Sequence, residues 1–459
     1  MQSSTQLLLG YYGDDFTGST DAMEMLSRSG VRTVLFITPP SAETLRNYPG
    51  IRAFGVAGLS RSLEPEDMAS ELSSAFWKMR QTGARHIHYK VCSTFDSSPA
   101  IGNIGTAIET GTALFPGRYV PLLVAAPTLG RYCVFGNLFA SVGIGSAGEI
   151  FRLDRHPSMK NHPVTPADEA DLRVHLGKQT GKKIGLVDIL DLGKQTHEVR
   201  GLIDARLKAG HRIILFDGLY DDQLRVTGEV IDQEAEDSRQ PFFSVGSSGI
   251  EMALGKYWTS RGMLTPPVYW PNPAAQKAIL VISGSCSPVT ARQIGTAVQS
   301  GFAEISLEPA EMLTDDPQAV NVPGLKIAGW LKNGTSVIVH TSKGIDDDRI
   351  ARSRALFASR GIPKSHTSRI YGTVLGNIAR AVVQHGDVSR IVIAGGDTSS
   401  FAARAMGIEA VEMIAPLSPG APLCKAYAPG SPLDGKEVVF KGGQVGGDHY
   451  FIDILNGKI

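Results

Sequence analysis

The sequence predicts an α/β protein, with two α/β domains whose largely parallel sheets face each other across a cleft. Three observations lead there. Short apolar, β-prone runs alternate with stretches of helical spacing along nearly the whole chain. Several runs are almost wholly apolar, as strands buried on both faces of a parallel sheet must be. Between two such series lies TPPVYWPNP, residues 265–273, where four prolines leave little room for a helix or a central strand. A chain of 459 residues exceeds one ordinary core. The expected division is a first domain at 1–260, a stiff proline-rich linker at 261–276 and a second domain at 277–459,.

The first unit begins with QLLLGYY, residues 6–12, read as a strand. After it comes DDFTGSTD, residues 14–21, and then Ala22, Met23, Met25 and Leu26 at helical spacing up to Gly30,. Asp14 and Asp15 are expected in the turn and Asp21 at the helix opening. Gly18 would let the backbone approach a bound group. TVLFI at 33–37 closes a βαβ unit, and polar groups at a strand's carboxyl end in an open sheet sit where ligands bind. A simpler role for the run is capping by Thr17, Ser19 or Thr20, with carboxylates complementing the helix dipole. Capping needs one such residue, whereas this run offers three carboxylates and three hydroxyls.

IRAFGVAGL at 51–59 reads as a strand running into Ser60, Arg61 and Ser62, with a helix from about Pro65 to Gly83. HIHYKV at 86–91 is a strand feeding a second polar cluster, Cys92 to Ser98, which includes Ser93 and Thr94. GNIG at 102–105 opens a helix to about Phe115, and its small residues and free amides suit an anion. YVPLLVAA at 119–126 leads to Gly130 and Arg131, whose planar fork matches a carboxylate in two bonds. An irregular segment carries His156 and His162, either of which could face substrate. A helix is expected from about Ala167, with Thr165 as cap and Pro166 in its first turn. Strands at 184–189, 212–217 and 242–245 complete the half.

The second half restarts with AILVI at 278–282, followed by SGSCSP at 283–288 and a helix from Val289 carrying Thr290 and Gln293. This arrangement offers backbone amides to phosphate, without a Walker or GxGxxG pattern. A strand at 336–341, helices near 351–360 and 368–384, and a strand at 390–394 lead to Gly395, Gly396, Asp397, Thr398, Ser399 and Ser400. Glycines, a carboxylate and hydroxyls at a strand end suit phosphates and their metal, though a capped βα turn needs little more. Residues 417–423 read as a turn, and a strand at 438–441 runs into GGQVGGD beside a lysine.

Lys+Arg and Asp+Glu both number 45, for a formal net charge of zero. That balance argues against nucleic-acid and anionic-membrane partners. A 42% hydrophobic and 20% charged composition is that of a globular chain. Cys92, Cys133, Cys286 and Cys424 form no CxxC pair and no zinc spacing with histidine, so reduced thiols in a cytoplasmic protein are expected. The start lacks a basic n-region, and no uncharged run is long enough to span a bilayer. A homo-oligomer is compatible with these features.

One half thus looks able to hold a polyhydroxy acid and the other a polyphosphate, which points to phosphoryl transfer with a carboxylate base, Asp15 before Asp14 and Asp21. DDFTGSTD, KVCST at 90–94, GNIG, Gly130-Arg131, HPVTP, SGSCS, GGDTS and KGGQVG, in that order, resemble the four-carbon acid sugar kinase family. The resemblance implies ATP contacts at Ser283, Ser285, Gly395, Gly396, Asp397, Thr398 and Gly443. It implies sugar-acid contacts at Asp14, Asp15, Asp21, Ser93, Thr94 and Arg131; Lys90, Asn103 and His162 join these as substrate-binding candidates from the same motifs. ATP is the expected co-substrate and Mg²⁺ is inferred with it, its ligands left open. The sequence departs from the family pattern at Gly442 and Val445, where a serine and an aromatic residue are expected, and in the length of FDSSPAIGNIG. CSTFDSS is similar to members acting on 3-oxo acids, so a 3-oxo-tetronate or a branched relative such as 3-oxo-isoapionate is implied, with threonate or erythronate as alternatives. A non-catalytic sugar-acid sensor would leave GGDTS and KGG idle. An aspartyl-phosphate phosphatase would need DxDxT, and an oxidoreductase a GxGxxG after a first strand.

Overall fold

A computed structural model describes residues 6–142, 148–162, 164–313 and 318–458, apart from the side chains of residues 318, 319, 365 and 397. The chain forms two compact units, Met1–Val268 and Tyr269–Ile459. In the first, the strands are β1 (Leu9–Gly13), β2 (Thr33–Phe36), β3 (Ala53–Ala57), β4 (His86–Lys90), β5 (Val120–Leu123), β6 (Arg131–Val134), β7 (Asn137–Ser141), β8 (Ile150–Arg152), β9 (Ile184–Val187), β10 (Ile213–Phe216) and β11 (Phe242–Gly246). Eight of them pair in parallel in the order β2-β3-β1-β4-β11-β5-β10-β9. Because β3 lies on one side of β1 and β4 on the other, the chain reverses its direction of travel across the sheet between β1 and β4. That switch point opens a crevice at the carboxyl ends of the two strands.

The continuous apolar runs become strands buried along their whole length: β1, β3, β4 and β11 have no exposed position. Aromatic rings lock β1 to β4, with Tyr12 stacked on Tyr89 at 6.2 Å and Phe76 edge-on to both. Three short strands that sequence reading passed over, β6, β7 and β8, make a separate antiparallel sheet. It is anchored by buried Asp217, which accepts from the backbone amides of Phe135 and Gly136.

The second unit contains β12 (Leu280–Ser283), β13 (Ala303–Ser306), β14 (Val337–His340), β15 (Arg390–Ala394), β16 (Ala410–Ser418), β17 (Ala421–Tyr427) and β18 (Glu437–Lys441). Its order is β13-β14-β12-β15-β18-β17-β16, parallel as far as β18 and antiparallel at the last two pairings. Here β12 lies between β14 and β15 as β1 lies between β3 and β4, so the same kind of switch point recurs between β12 and β15. Buried Val281, Ile294, Ile338, Val392, Val439 and Phe451 form the core of this sheet and its helices.

Three local expectations are corrected. The first helix is Phe16–Arg28 with Asp15 as its cap, accepting from Gly18 N at 2.7 Å, so Asp21 lies inside the helix rather than at its opening. The helix expected from Ala167 begins at Leu172, where Asp171 caps it and Leu172, His175 and Leu176 are buried; Thr165 and Pro166 precede it in irregular chain. Residues 417–423 are mostly strand, because β16 and β17 make a hairpin whose turn needs only two residues and has Gly420 at φ 81°,.

Candidate active site

The first polar cluster gathers around the β1/β4 switch point. In register, Gly13 faces Lys90, and Asp14 N donates to Lys90 O at 2.9 Å. Asp14 and Asp15 therefore leave β1 beside the end of β4. Arg61 reaches them from the turn after β3. Its Nη2 and Nε bond Asp14 at 2.7 and 3.1 Å, and its Nη1 bonds Asp15 Oδ2 at 2.8 Å. Two tethers hold Arg61 there: its backbone amide donates to Asp14 O, and the neighbouring Ser60 hydroxyl bonds Tyr89 Oη. Six residues after Asp15, Asp21 Oδ2 lies 3.6 Å from Lys90 Nζ, while Asp21 Oδ1 is buried with no hydrogen-bond partner among the described residues. Gly18 is needed at this point because a Cβ there would come within 2.6 Å of Asp15 Oδ1 and 3.2 Å of Lys90 Nζ.

Thr94 joins from the segment after β4, with its hydroxyl 2.8 Å from Asp96 Oδ1 and 2.9 Å from Cys92 Sγ. Ser93 is buried next to it. Between Thr94 and Asp96, Phe95 is held at φ 56°, a conformation unfavourable for a bulky residue and one kept only when the surroundings enforce it. Arg131 is buried, its Nη1 shared among the carbonyls of Leu129, Gly130 and Ser141, its Nε without a partner. Burial works against its charge and lowers its pKa from the ordinary range, opposed by nearby Asp21 and Asp96. Asn103 is engaged in the backbone, accepting from Thr106 N and donating to Pro99 O. His162 Nδ1 meets only Thr165 among the described residues. The structure therefore brings Asp14, Asp15, Asp21, Lys90, Ser93, Thr94 and Arg131 together, and leaves Asn103 and His162 in local turns.

Electrostatics in this crevice follow from burial. Removal from water pushes the Asp14 carboxyl above its ordinary range, with Arg61 pulling it back and Asp15 adding to the rise. Burial works against the Lys90 ammonium, but Asp21 and Asp14 outweigh it and hold the charge. Burial also pushes the Cys92 thiol up to about 11, so no thiolate nucleophile is available near neutral pH.

In the second unit three loops converge. SGSCS follows β12, GGDTS follows β15 and GGQVG follows β18. A Cβ on Gly284 would meet the Thr398 side chain at 2.5 Å, one on Gly443 would meet Ser285 Oγ and Ser287 Cβ at 3.0 Å, and Gly395, at φ 133°, approaches Ser285 N. The loops are tied together from the helix Pro288–Gln299. Thr290 Oγ1 donates to Gly443 O, and Gln293 Nε2 reaches the carbonyls of Val445, Gly446 and Gly447 at 2.9 to 3.1 Å. Gly396 opens the helix Gly396–Ala405, which also carries Thr398, and Ser283 is buried at the end of β12. Asp397 falls outside the described side chains. Closely approaching glycine backbones and helix N-termini at a switch point form a cradle suited to a polyphosphate.

Residues 9–254 match the family model for a sugar-binding N-terminal domain, and residues 280–451 match that for a nucleotide-binding C-terminal domain. The chain is 40% identical to 3-oxo-isoapionate kinase of Paraburkholderia graminis, over 99% of this chain and 95% of that protein. It belongs to the four-carbon acid sugar kinase family. A 3-oxo-tetronate kinase of Methylobacterium radiotolerans is 30% identical over 97% of this chain and 98% of its own length. Solved structures from Salmonella typhimurium LT2 and Haemophilus influenzae share the fold at TM-scores of 0.74 and 0.69, with 22% and 23% identity and at least 96% of each chain covered.

In this sugar-acid kinase, which uses ATP, sequence reading missed Arg61 as a site residue. The available signal was its place after a strand, at the same sheet edge as Asp14. It also missed Glu251, in the helix Gly249–Ser260, which is wholly buried with neither carboxylate oxygen bonded. His88 Nε2 lies 3.7 Å from Glu251 Oε1, and burial together with Lys90 drives His88 down to about 3. Burial pushes the Glu251 carboxyl up to about 8, against the pull of Lys90. A folded value above the ordinary 4.5 means that Glu251's contribution to stability is complete below about 4.5 and is lost as pH rises through about 8,. Glu251→Gln is expected to flatten the pH dependence of the urea midpoint across that window. An unchanged slope would show that Glu251 carries no such burden.

A phosphate-holding role for the three loops of the second unit can be tested by Gly284→Ala. Displacing Thr398 is expected to cost strain on the order of 1–3 kcal/mol and to weaken ATP roughly tenfold or more, with little change in affinity for the acid. Calorimetric titration of each ligand measures both.

Proposed function

We propose that the chain transfers the γ-phosphoryl group of ATP to a hydroxyl of a branched 3-oxo sugar acid, 3-oxo-isoapionate. The observation that carries this choice is the full-length 40% identity to 3-oxo-isoapionate kinase, against 30% to 3-oxo-tetronate kinase. The cationic groups Arg131, Lys90 and Arg61 suit the acid's carboxylate and oxo group, and Ser93 and Thr94 suit its hydroxyls. The catalytic base is proposed to be Asp21 rather than Asp15. Asp15 Oδ1 is committed to Gly18 N and its Oδ2 to Arg61 and Thr17, whereas Asp21 Oδ1 has no partner. Proximity and charge stabilisation then do most of the work, as in other phosphoryl transfers. The acceptor oxygen bonds to the γ-phosphorus as the bond to the bridging oxygen breaks and ADP leaves; the acceptor's proton passes to Asp21.

On the nucleotide side, Ser283, Ser285, Gly395, Gly396, Thr398 and Gly443 are proposed to line the phosphates. Among the described residues no group of three His, Cys, Asp or Glu side chains could hold a metal ion. Mg²⁺ is proposed to arrive with ATP, held mainly by its phosphate oxygens and water. ATP chemistry and four scattered cysteines with no CxxC pair favour the cytoplasm; no helix among the described residues is long and apolar enough to cross a membrane.

A coupled ADP-release screen over 3-oxo-isoapionate, 3-oxo-tetronate, threonate and erythronate tests the reading. The highest kcat/KM is expected with the branched acid. A higher value with 3-oxo-tetronate would move the assignment to the unbranched substrate. Acid binding with no ADP release from any of the four would overturn transfer in favour of a sensor.

A further inference from the structure

Lys441, the last residue of β18, is wholly buried. Its ammonium donates to Thr290 Oγ1 at 3.0 Å and lies 5.6 Å from the centre of the Tyr450 ring. Among the described side chains, the elements around it bring no counter-charge; the helix Gly396–Ala405, which also packs on β18, carries Arg404 in its last turn, and the side chain of its Asp397 lies outside the described residues. The helix Pro288–Gln299 presents Thr290 and the Gln293 amide, while its Arg292 is exposed and paired with Asp448 at 3.0 Å. The helix Tyr450–Leu455 presents Tyr450, and the register neighbour in β15 is Ala394. Burial takes the Lys441 ammonium down to about 7. A lysine kept in a dry site without an anion is costly, and such groups shed their proton unless a negative charge arrives.

Its position says which charge that is. Lys441 N and O belong to the strand end from which GGQVG departs, and its carbonyl receives Gly395 N at 3.0 Å. Thr290 Oγ1, which accepts from Lys441, also accepts from Ser285 Oγ at 3.1 Å and donates to Gly443 O at 3.0 Å. One ammonium therefore touches, through a single hydroxyl and its own backbone, all three loops of the phosphate cradle.

We propose that Lys441 is a positioning residue that readily sheds its proton in the empty protein and holds it once a nucleoside triphosphate settles on the three loops. The proposal rests on the nucleotide reading of the second unit. The phosphates supply the missing negative charge, and the low dielectric around Lys441 lets their field reach it without direct contact. Protonation strengthens the Lys441 to Thr290 bond and thereby fixes Gly443 and Ser285. Since the bound form holds the proton more tightly, the gain in ATP affinity is complete below about pH 7 and is lost as pH rises through the higher value of the bound state.

The test is calorimetric titration of ATP, and of adenosine as a probe without phosphates, into the full chain in two buffers of different ionisation enthalpy. Relative to Lys441→Met, the wild type is expected to take up a sizeable fraction of one proton per ATP near pH 7.5 to 8, on the order of that set by a shift of one pKa unit or more, and none with adenosine. Lys441→Met is expected to weaken ATP roughly tenfold at low pH with adenosine unaffected. Lys441→Arg, charged throughout, should bind ATP with the pH dependence removed. Equal proton uptake by wild type and Lys441→Met, or equal losses for ATP and adenosine, would overturn the proposal and leave Lys441 a packing residue. Wild type that binds adenosine but shows no preference for ATP would overturn the cradle assignment itself, and this inference with it.

Discussion

Asp21→Asn is expected to lower kcat by about 10²- to 10⁴-fold, the range removed with a general base, while ATP affinity stays within a factor of about 2. Asparagine keeps the shape of the side chain but cannot accept the acceptor hydroxyl's proton. The second carboxylate oxygen faces Lys90 Nζ at 3.6 Å, so the substitution also leaves Lys90 with less compensation and should move the pH profile as well as the rate. Single-turnover ADP formation and ATP titration together measure both. The discriminating companion is Asp15→Asn. Asp15 caps the first helix and receives Arg61 and Thr17; asparagine caps about as well, so that change should cost stability mainly through the weakened Arg61 bond, on the order of 1–3 kcal/mol, along with activity. If Asp15→Asn abolished turnover in a fully stable protein and Asp21→Asn left it intact, the proton would go to Asp15.

Arg61→Ala is expected to remove activity and to destabilise the first unit by about 3 kcal/mol or more, because breaking a buried ion pair leaves its partners without compensation. Asp14 and Asp15 are both almost fully buried, while the Arg61 side chain is only 23% exposed. Asp14 receives a two-point fork and Asp15 a third bond from the same guanidinium. Arg61→Lys restores one charge without the planar fork and should recover stability only in part. With arginine gone, the burial that already raises the Asp14 carboxyl would act unopposed by its strongest counterweight. The loss should therefore shrink at acid pH, where Asp14 is protonated, and grow towards neutrality. Urea titrations at several pH values read this directly, and a midpoint equal to wild type at neutral pH would mean the pair is solvated rather than buried.

Much of the site could be read from one recurrent pattern, a polar run after an apolar one. Asp14 and Asp15 after β1, Ser93 and Thr94 after β4, Ser283 and Ser285 after β12, and Gly395 to Thr398 after β15 all lie where such runs end. Arg61 follows β3 in the same way, but one arginine between two serines carries no excess of polar groups. Glu251 was illegible for the opposite reason. It is a lone charge in ordinary surroundings, and only burial makes it costly; Lys441 could be read as the start of KGGQVG, but its burial could not. The antiparallel sheet of β6, β7 and β8 and the hairpin of β16 and β17 escaped notice because short strands without strict alternation give weak periodic signals.

The sequence by itself determined the two α/β series, the boundary region rich in proline and the chemical character of each set of loops, because those depend on local spacing and residue type. The tertiary structure alone decided that both sheets reverse their winding beside their first strands, and hence which loops meet. It also decided, among the described residues, which carboxylate keeps an oxygen without a partner and which lysine lacks a counter-ion. Those properties depend on what lies beside a residue in space and on the exclusion of water, and contacts between distant segments leave no periodic trace along the chain.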